Sequence, residues 1–177
     1  MRRLKRDSLN EWLVIRSQQG EKDAFTALVR NWQQRYYLYA LNRLKDKEAA
    51  RDVTQDCLLS ISRSLGNLSD PAAYPKWSFR ILERRCIDWL RKTIREREVI
   101  QQQETLPEIA VNDGNEAKLT VEQLLARLDS RLAAILRLYY LEAFTVNEIA
   151  EISGVPAGTV KSRLFYARKL MMKSLQD

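Results

Sequence analysis

Apolar residues recur along this chain at three- and four-residue steps, the spacing of amphipathic helices. A first helix is predicted over about Leu9 to Gln18, with Trp12, Leu13 and Ile15 on its apolar edge, and Gly20 ends it. From Asp23 a longer stripe runs through Phe25, Leu28, Val29, Trp32, Tyr36, Tyr39 and Ala40, which reads as core. Lys45-Asp46-Lys47 is a polar connection, and Asp46 or Asp52 precedes a third helix from Lys47 to Leu65. Its apolar side is Ala50, Val53, Leu58, Ile61 and Leu65. Gly66-Asn67 closes it, and two prolines make Leu68 to Pro75 a loop. The helix that follows, Lys76 to Arg97, places Trp77, Ile81, Ile87, Leu90 and Ile94 on its core side.

Beyond residue 117 the pattern shortens. Helices are predicted over Leu119 to Leu128 and Arg131 to Leu141, with Asp129-Ser130 as break and N-cap. The stretch Val146 to Phe165 reads as a helix-turn-helix: Ala150 is the small residue that lets two helices cross closely, Gly154 the turn, and Val160 the buried contact. Ile149, Ile152, Val155 and Leu164 fill the interior, and Pro156 opens the second helix, where a missing N–H costs nothing. The fold class is all-α: two small helical domains, the second a four-helix module built on the helix-turn-helix.

Charge marks where the domains part. Residues 1–97 carry 21 Lys/Arg and 12 Asp/Glu, residues 98–117 none and five, and residues 118–177 nine and six. Two basic modules, 1–97 and 118–177, therefore flank an acidic linker, 98–117, expected to be extended or poorly ordered. The chain's net charge of +7 suits a polyanionic partner or an anionic membrane surface. No apolar run reaches transmembrane length, and the basic start is not followed by a signal-like apolar stretch, so the chain reads as cytoplasmic. With no histidine, imidazole catalysis and histidine-containing metal sites are excluded. Cys57 and Cys86 sit in apolar helical patterns as reduced core residues. No nucleophile motif or phosphate-cradling loop is present, and neither a cofactor nor a metal is expected.

Three surfaces carry the candidate chemistry. On the second helix of the helix-turn-helix, Gly158, Lys161, Ser162, Phe165 and Lys169 fall opposite Val160, Leu164, Ala167 and Met171. Lys161 suits phosphate or guanine, Ser162 a short hydrogen bond, Phe165 a thymine methyl, and Arg163 and Arg168 flank the face as phosphate contacts. The plainer reading is a solvated basic face. On the helix from Lys76, Arg80, Arg84, Arg85, Arg91, Lys92 and Arg95 lie among Trp77, Phe79 and Trp89. Cations interleaved with rings suit single-stranded nucleic acid, because bases stack on rings while cations follow the backbone; a solvated arginine face over buried rings is the alternative. On the third helix Asp52, Gln55, Asp56 and Leu59 mix acid with apolar character, which fits either a basic protein surface or solvent.

Taken together, GEKDAFTALV, YALNRLKDKEAARDVTQD and WSFRILERRCIDWLRK resemble region 2, and LEAFTVNEIAEISGVPAGTVKSRLFYARKLM resembles region 4, of the extracytoplasmic-function (ECF) sigma factors. The resemblance spans almost the whole chain. It implies that Asp52, Gln55, Asp56 and Leu59 dock on the clamp helices of the RNA polymerase largest subunit. It also implies that the segment from Tyr74 to Lys92 melts the minus-ten promoter element and holds its non-template strand, while Lys161, Ser162 and Phe165 read the minus-thirty-five element. The linker would thread toward the polymerase active site and RNA exit path. An anti-sigma factor, often membrane-anchored in this family, is an implied partner beside core polymerase and promoter DNA. Where relatives commonly read Ala-Arg-Asn, this chain has Leu82-Glu83-Arg84, so no minus-ten base sequence is carried over. A stand-alone helix-turn-helix regulator and a protein-interaction adaptor are the other readings of the same surfaces.

Overall fold

The computed structural model describes residues 2–101 and 121–174, with side chains at 8–96 and 121–172. These residues form eight α-helices, and no strand occurs among them. The first body holds α1 (Arg2–Gln18), α2 (Lys22–Leu44), α3 (Lys47–Ser64) and α4 (Tyr74–Gln101). The second holds α5 (Val121–Arg127), α6 (Ser130–Leu136), α7 (Val146–Ser153) and α8 (Ala157–Ser174).

Local chemistry sets the helix ends in the first body. Lys45 closes α2 in the left-handed region (φ 58°), its N–H donating to the Leu41 carbonyl. Asp46 then caps α3, its carboxylate accepting from the Glu48 and Ala49 N–H groups at 2.9 and 3.0 Å, which resolves the choice between Asp46 and Asp52. Two short 3₁₀ turns, Leu65–Asn67 and Pro71–Ala73, occupy the expected loop. α4 begins two residues before the predicted Lys76, because Pro75 falls in its first turn, where a missing donor is harmless. At its other end α4 continues to Gln101, into the stretch assigned to the linker. The remainder of that stretch, and the predicted start of the next helix at Leu119, lie outside the described residues.

The core of the first body is aromatic. Trp32, Tyr36 and Tyr39 of α2 meet Tyr74 and Phe79 of α4, all at most 2% exposed. Phe79 packs edge-on against Trp32, Tyr36 and Tyr39 at centroid distances of 6.3, 5.5 and 5.4 Å. This corrects two expectations. Phe79 belongs to the interior, not to the cationic surface. The buried side of α4 is Phe79, Leu82 and Cys86, while Ile94 is 55% exposed and Trp77, Ile81, Ile87 and Leu90 lie half-buried along its margins. The rings of α2 set that rotation of α4, because Phe79 alone on α4 reaches three of them. On α1, Leu13 and Val14 are buried while Trp12 and Ile15 face outward. Asn10 accepts from the Trp32 indole at 3.2 Å and so fixes α1 against α2.

In the second body Asp129 caps α6 by accepting from the Arg131 N–H, and the end of that helix widens into a π turn over Arg137–Leu141. Ala143 follows in the left-handed region at φ 59°. Thr145 and Glu148 then form a reciprocal capping box that starts α7. Gly154, at φ 66°, turns the chain from α7 to α8, and Val160, Leu164 and Ala167 are buried beneath it.

Two predictions follow from the backbone and the buried thiols. A β-carbon at φ 59° is strained, so Ala143→Gly is expected to raise the unfolding free energy by about 1 kcal/mol in urea titrations. Burial pushes the Cys57 thiol up to about 12 and raises Cys86 as well, so both should resist maleimide in the native protein and react once it is unfolded.

Candidate nucleic-acid interface

The second helix of the helix-turn-helix, α8, separates its two faces cleanly. Val160 (0% exposed), Leu164 and Ala167 face inward, whereas Lys161, Ser162, Lys169 and Phe165 (71% exposed) face solvent. A ring this exposed contributes little burial to the fold that holds it and is open to a partner. The Ser162 hydroxyl donates to its own helix, to the Thr159 carbonyl at 3.0 Å, and must rotate to reach a base edge. Arg168 is exposed and lies over the Tyr139 and Tyr140 rings, 5.6 Å from each centroid, a stack that holds a cation beside the outer face. Arg163 is half-buried and turns instead toward the first body, lining a space with Tyr39, Arg43 and Glu83.

α4 divides its cations between two sides. Arg80, Arg84 and Arg91 are exposed and border a cleft of about 580 Å³ together with half-buried Trp77. The opposite wall of that cleft is Glu151, Ile152, Ser153 and Gly154 of the helix-turn-helix. Arg85, Trp89 and Lys92 do not border it. Arg85 reaches α3, donating to the Ser60 hydroxyl at 2.8 Å, and Trp89 lies half-buried against the core. Under the cleft Glu83 is buried, accepting from the Tyr39 hydroxyl at 2.9 Å and from Arg43 at 3.2 Å. Burial raises its carboxyl above the usual range, and the Arg43 cation works against that rise. On α3, Asp52, Gln55, Asp56 and Leu59 are all exposed and share one outward face.

The two bodies meet along a seam whose residues the periodic reading missed. Glu142, its side chain 2% exposed, is ion-paired with Arg35 of α2, whose Nε donates to it at 2.6 Å. Arg35 also stacks over the Trp32 ring at 4.0 Å. Arg137, buried to 3% exposure, donates to Glu122 at 2.8 Å and to Asn42 of α2 at 3.4 Å. Phe144 adds a further ring to the aromatic core, edge-on to Phe79 at 5.5 Å. Lys45 donates to the Leu125 and Ala126 carbonyls at 3.1 and 3.0 Å. Lys76 pairs with Glu151 at 2.8 Å, and that hydrogen bond and charge lower the Glu151 carboxyl. A signal for the seam did exist: Arg35 interrupts the aromatic stripe, and Glu142 stands among apolar residues.

Comparison with known proteins matches residues 28–96 to Sigma-70 region 2 and residues 118–171 to Sigma-70, region 4. The chain is 31% identical over 147 residues to the ECF RNA polymerase sigma factor SigL of Mycobacterium tuberculosis, covering 78% of this chain and 81% of that one. The chain belongs to the ECF sigma factors of the sigma-70 family.

The RNA polymerase sigma-H factor of Pseudomonas aeruginosa is 29% identical over 181 residues, with 94% of each chain covered. A solved structure of the sigma factor RpoE from Bartonella quintana, in complex with the anti-sigma factor NepR, superposes with a TM-score of 0.70 at 22% identity, covering 88% of this chain and 98% of that one. The ECF sigma factor thus carries region 2 on α2–α4 and region 4 on α5–α8. Factors of this family are non-catalytic and direct transcription initiation. Among the described residues no helix is long and apolar enough to cross a membrane.

If the outer face of α8 reads bases, Phe165→Ala should cost about 1–3 kcal/mol on the preferred promoter and less on a scrambled upstream element. Competition gel shifts with the two DNAs measure the difference; equal losses on both would assign Phe165 to another task.

Proposed function

We propose that this sigma factor divides promoter recognition among three faces. The α3 face of Asp52, Gln55, Asp56 and Leu59 docks on basic polymerase helices, its carboxylates meeting cations while Leu59 is covered. Trp77 with Arg80, Arg84 and Arg91 holds the opened minus-ten strand, the ring offering a stacking platform and the guanidinium groups following phosphates. Arg85, Trp89 and Lys92 extend the same cationic helix away from that platform. Lys161, Ser162, Phe165 and Lys169 enter the major groove at the minus-thirty-five element, while Arg168 takes a phosphate beside them. The observation that supports this reading most is Phe165, exposed between cations on the outward face of a helix-turn-helix. Through these faces the protein acts as a recruitment and melting factor, in keeping with its membership of a non-catalytic family.

Working with core polymerase places the factor in the cytoplasm. An anti-sigma protein is the natural restraint on such a factor, and RpoE of the Bartonella structure is held by one. A stand-alone regulator is set aside because region 2 accompanies region 4 through most of the chain.

Reversing two charges on the α3 face isolates the polymerase contact. The double variant Asp52→Arg, Asp56→Arg should lose core-polymerase affinity by about tenfold or more while keeping its helical circular dichroism. Fluorescence anisotropy with labelled sigma factor checks it. Unchanged affinity would remove that face from the polymerase interface.

A further inference from the structure

We propose that the outward edge of α1 is a peripheral membrane-binding surface, which docks on anionic phospholipid at the cytoplasmic leaflet through Leu9, Trp12 and Ile15. The inference goes beyond the sigma-factor reading and does not depend on it.

Helix register builds the edge. Leu13 and Val14 turn inward, and Asn10 is held by the Trp32 indole, so α1 packs on α2 and its neighbours through that side. Leu9, Trp12 and Ile15 follow one another at three-residue steps, each turning the direction by about 60°, so the three form one stripe on the far side. They are 51, 53 and 43% exposed, and no other element among the described residues covers them. Arg16 lies over the Trp12 ring at 5.7 Å and pairs with Glu21 at 2.6 Å, which restrains the ring while half of it stays open. Three large apolar side chains in a row differ from the single exposed residues that any surface carries.

Charge selects the occupant. Residues 1–18 hold five cations and two acids, and four of the cations, Arg2, Arg3, Lys5 and Arg6, fall within the first six residues. α1 begins at Arg2, so these cations and the apolar edge belong to one helix. That combination suits a helix lying between anionic headgroups and acyl chains. Tryptophan is the side chain best fitted to that depth, with an apolar body and a polar N–H at headgroup level. Duplex DNA would attract the cations but offers nothing to cover Leu9 and Ile15. A second copy would bring together two chains of net charge +7. A helix edge is also convex: a fluid bilayer deforms to receive it, whereas a folded partner must supply a matching groove. The edge shares no residue with the α3 face or the recognition face of α8. Lipid docking therefore stores the factor at the membrane without using the groups that later meet polymerase and DNA.

The test uses the full chain and extruded vesicles. Flotation should show at least tenfold stronger partitioning onto phosphatidylcholine vesicles carrying about one third phosphatidylglycerol than onto phosphatidylcholine alone. Trp12→Ala should weaken partitioning onto the anionic vesicles about tenfold, with circular dichroism unchanged because the ring is half exposed. Replacing Arg2, Arg3, Lys5 and Arg6 with Gln should abolish the preference for anionic vesicles. Brominated acyl chains should quench the tryptophan emission of the bound chain. Trp12→Phe keeps an apolar ring, so it should still bind but lose that quenching, since Trp32 is buried and Trp77 and Trp89 lie on α4. No vesicle binding, undiminished binding by Trp12→Ala, or quenching that persists in Trp12→Phe overturns the proposal. A dimer in sedimentation equilibrium that Trp12→Ala dissolves assigns the edge to a second copy and overturns it as well. Transcription is assayed separately, so failure to direct it would remove the sigma-factor reading and leave these outcomes unaffected.

Discussion

The position of Phe79 governs most of what this molecule presents. Its ring must satisfy three rings of α2, and doing so fixes the rotation of α4 about its own axis. With Phe79, Leu82 and Cys86 committed inward, the 3.6-residue repeat sends Arg80, Arg84 and Arg91 to one outer side and Arg85 and Lys92 to the other. A cationic helix that looked uniform in sequence therefore acquires a working side, where Trp77 accompanies three arginines. The same ring also receives Phe144, so the core that shapes region 2 is also the surface on which region 4 rests.

Polar groups along the seam behave differently from those on the binding faces. Glu142 is buried against Arg35 across the seam, while Arg137 and Glu83 are buried with the charged partners Glu122 and Arg43 inside their own bodies. Lys161, Lys169, Asp52 and Asp56 are exposed and enter no such pair among the described residues, and their charge faces solvent. A transcription factor assembled from small helical bodies needs both kinds. Buried pairs hold a defined arrangement in the absence of DNA, and solvated charges supply attraction to a polyanion that arrives later.

Much of the architecture could be read from the chain alone. Periodicity gave every helix among the described residues, because each has an apolar stripe wide enough to be seen against a charged background. Helix ends were legible where a single residue sets them: Asp129 as a cap and Gly154 as a left-handed turn. The outward face of α8 was legible too, since burial of Val160 and Leu164 leaves Lys161, Ser162, Phe165 and Lys169 nowhere else to point.

What required the folded molecule was everything that depends on a partner distant in sequence. Whether Phe79 is a stacking platform or a core ring depends on Trp32, Tyr36 and Tyr39, some forty residues earlier. Arg163, read as a phosphate contact, turns to the seam because Tyr39, Arg43 and Glu83 form its surroundings there. Arg35 meets Glu142 across 107 positions, a separation over which no local pattern can register two side chains. The linear chain determined which residues could be buried or charged; three-dimensional packing decided which of them face one another, because pairing energy depends on distance in space and periodicity records only distance along the chain.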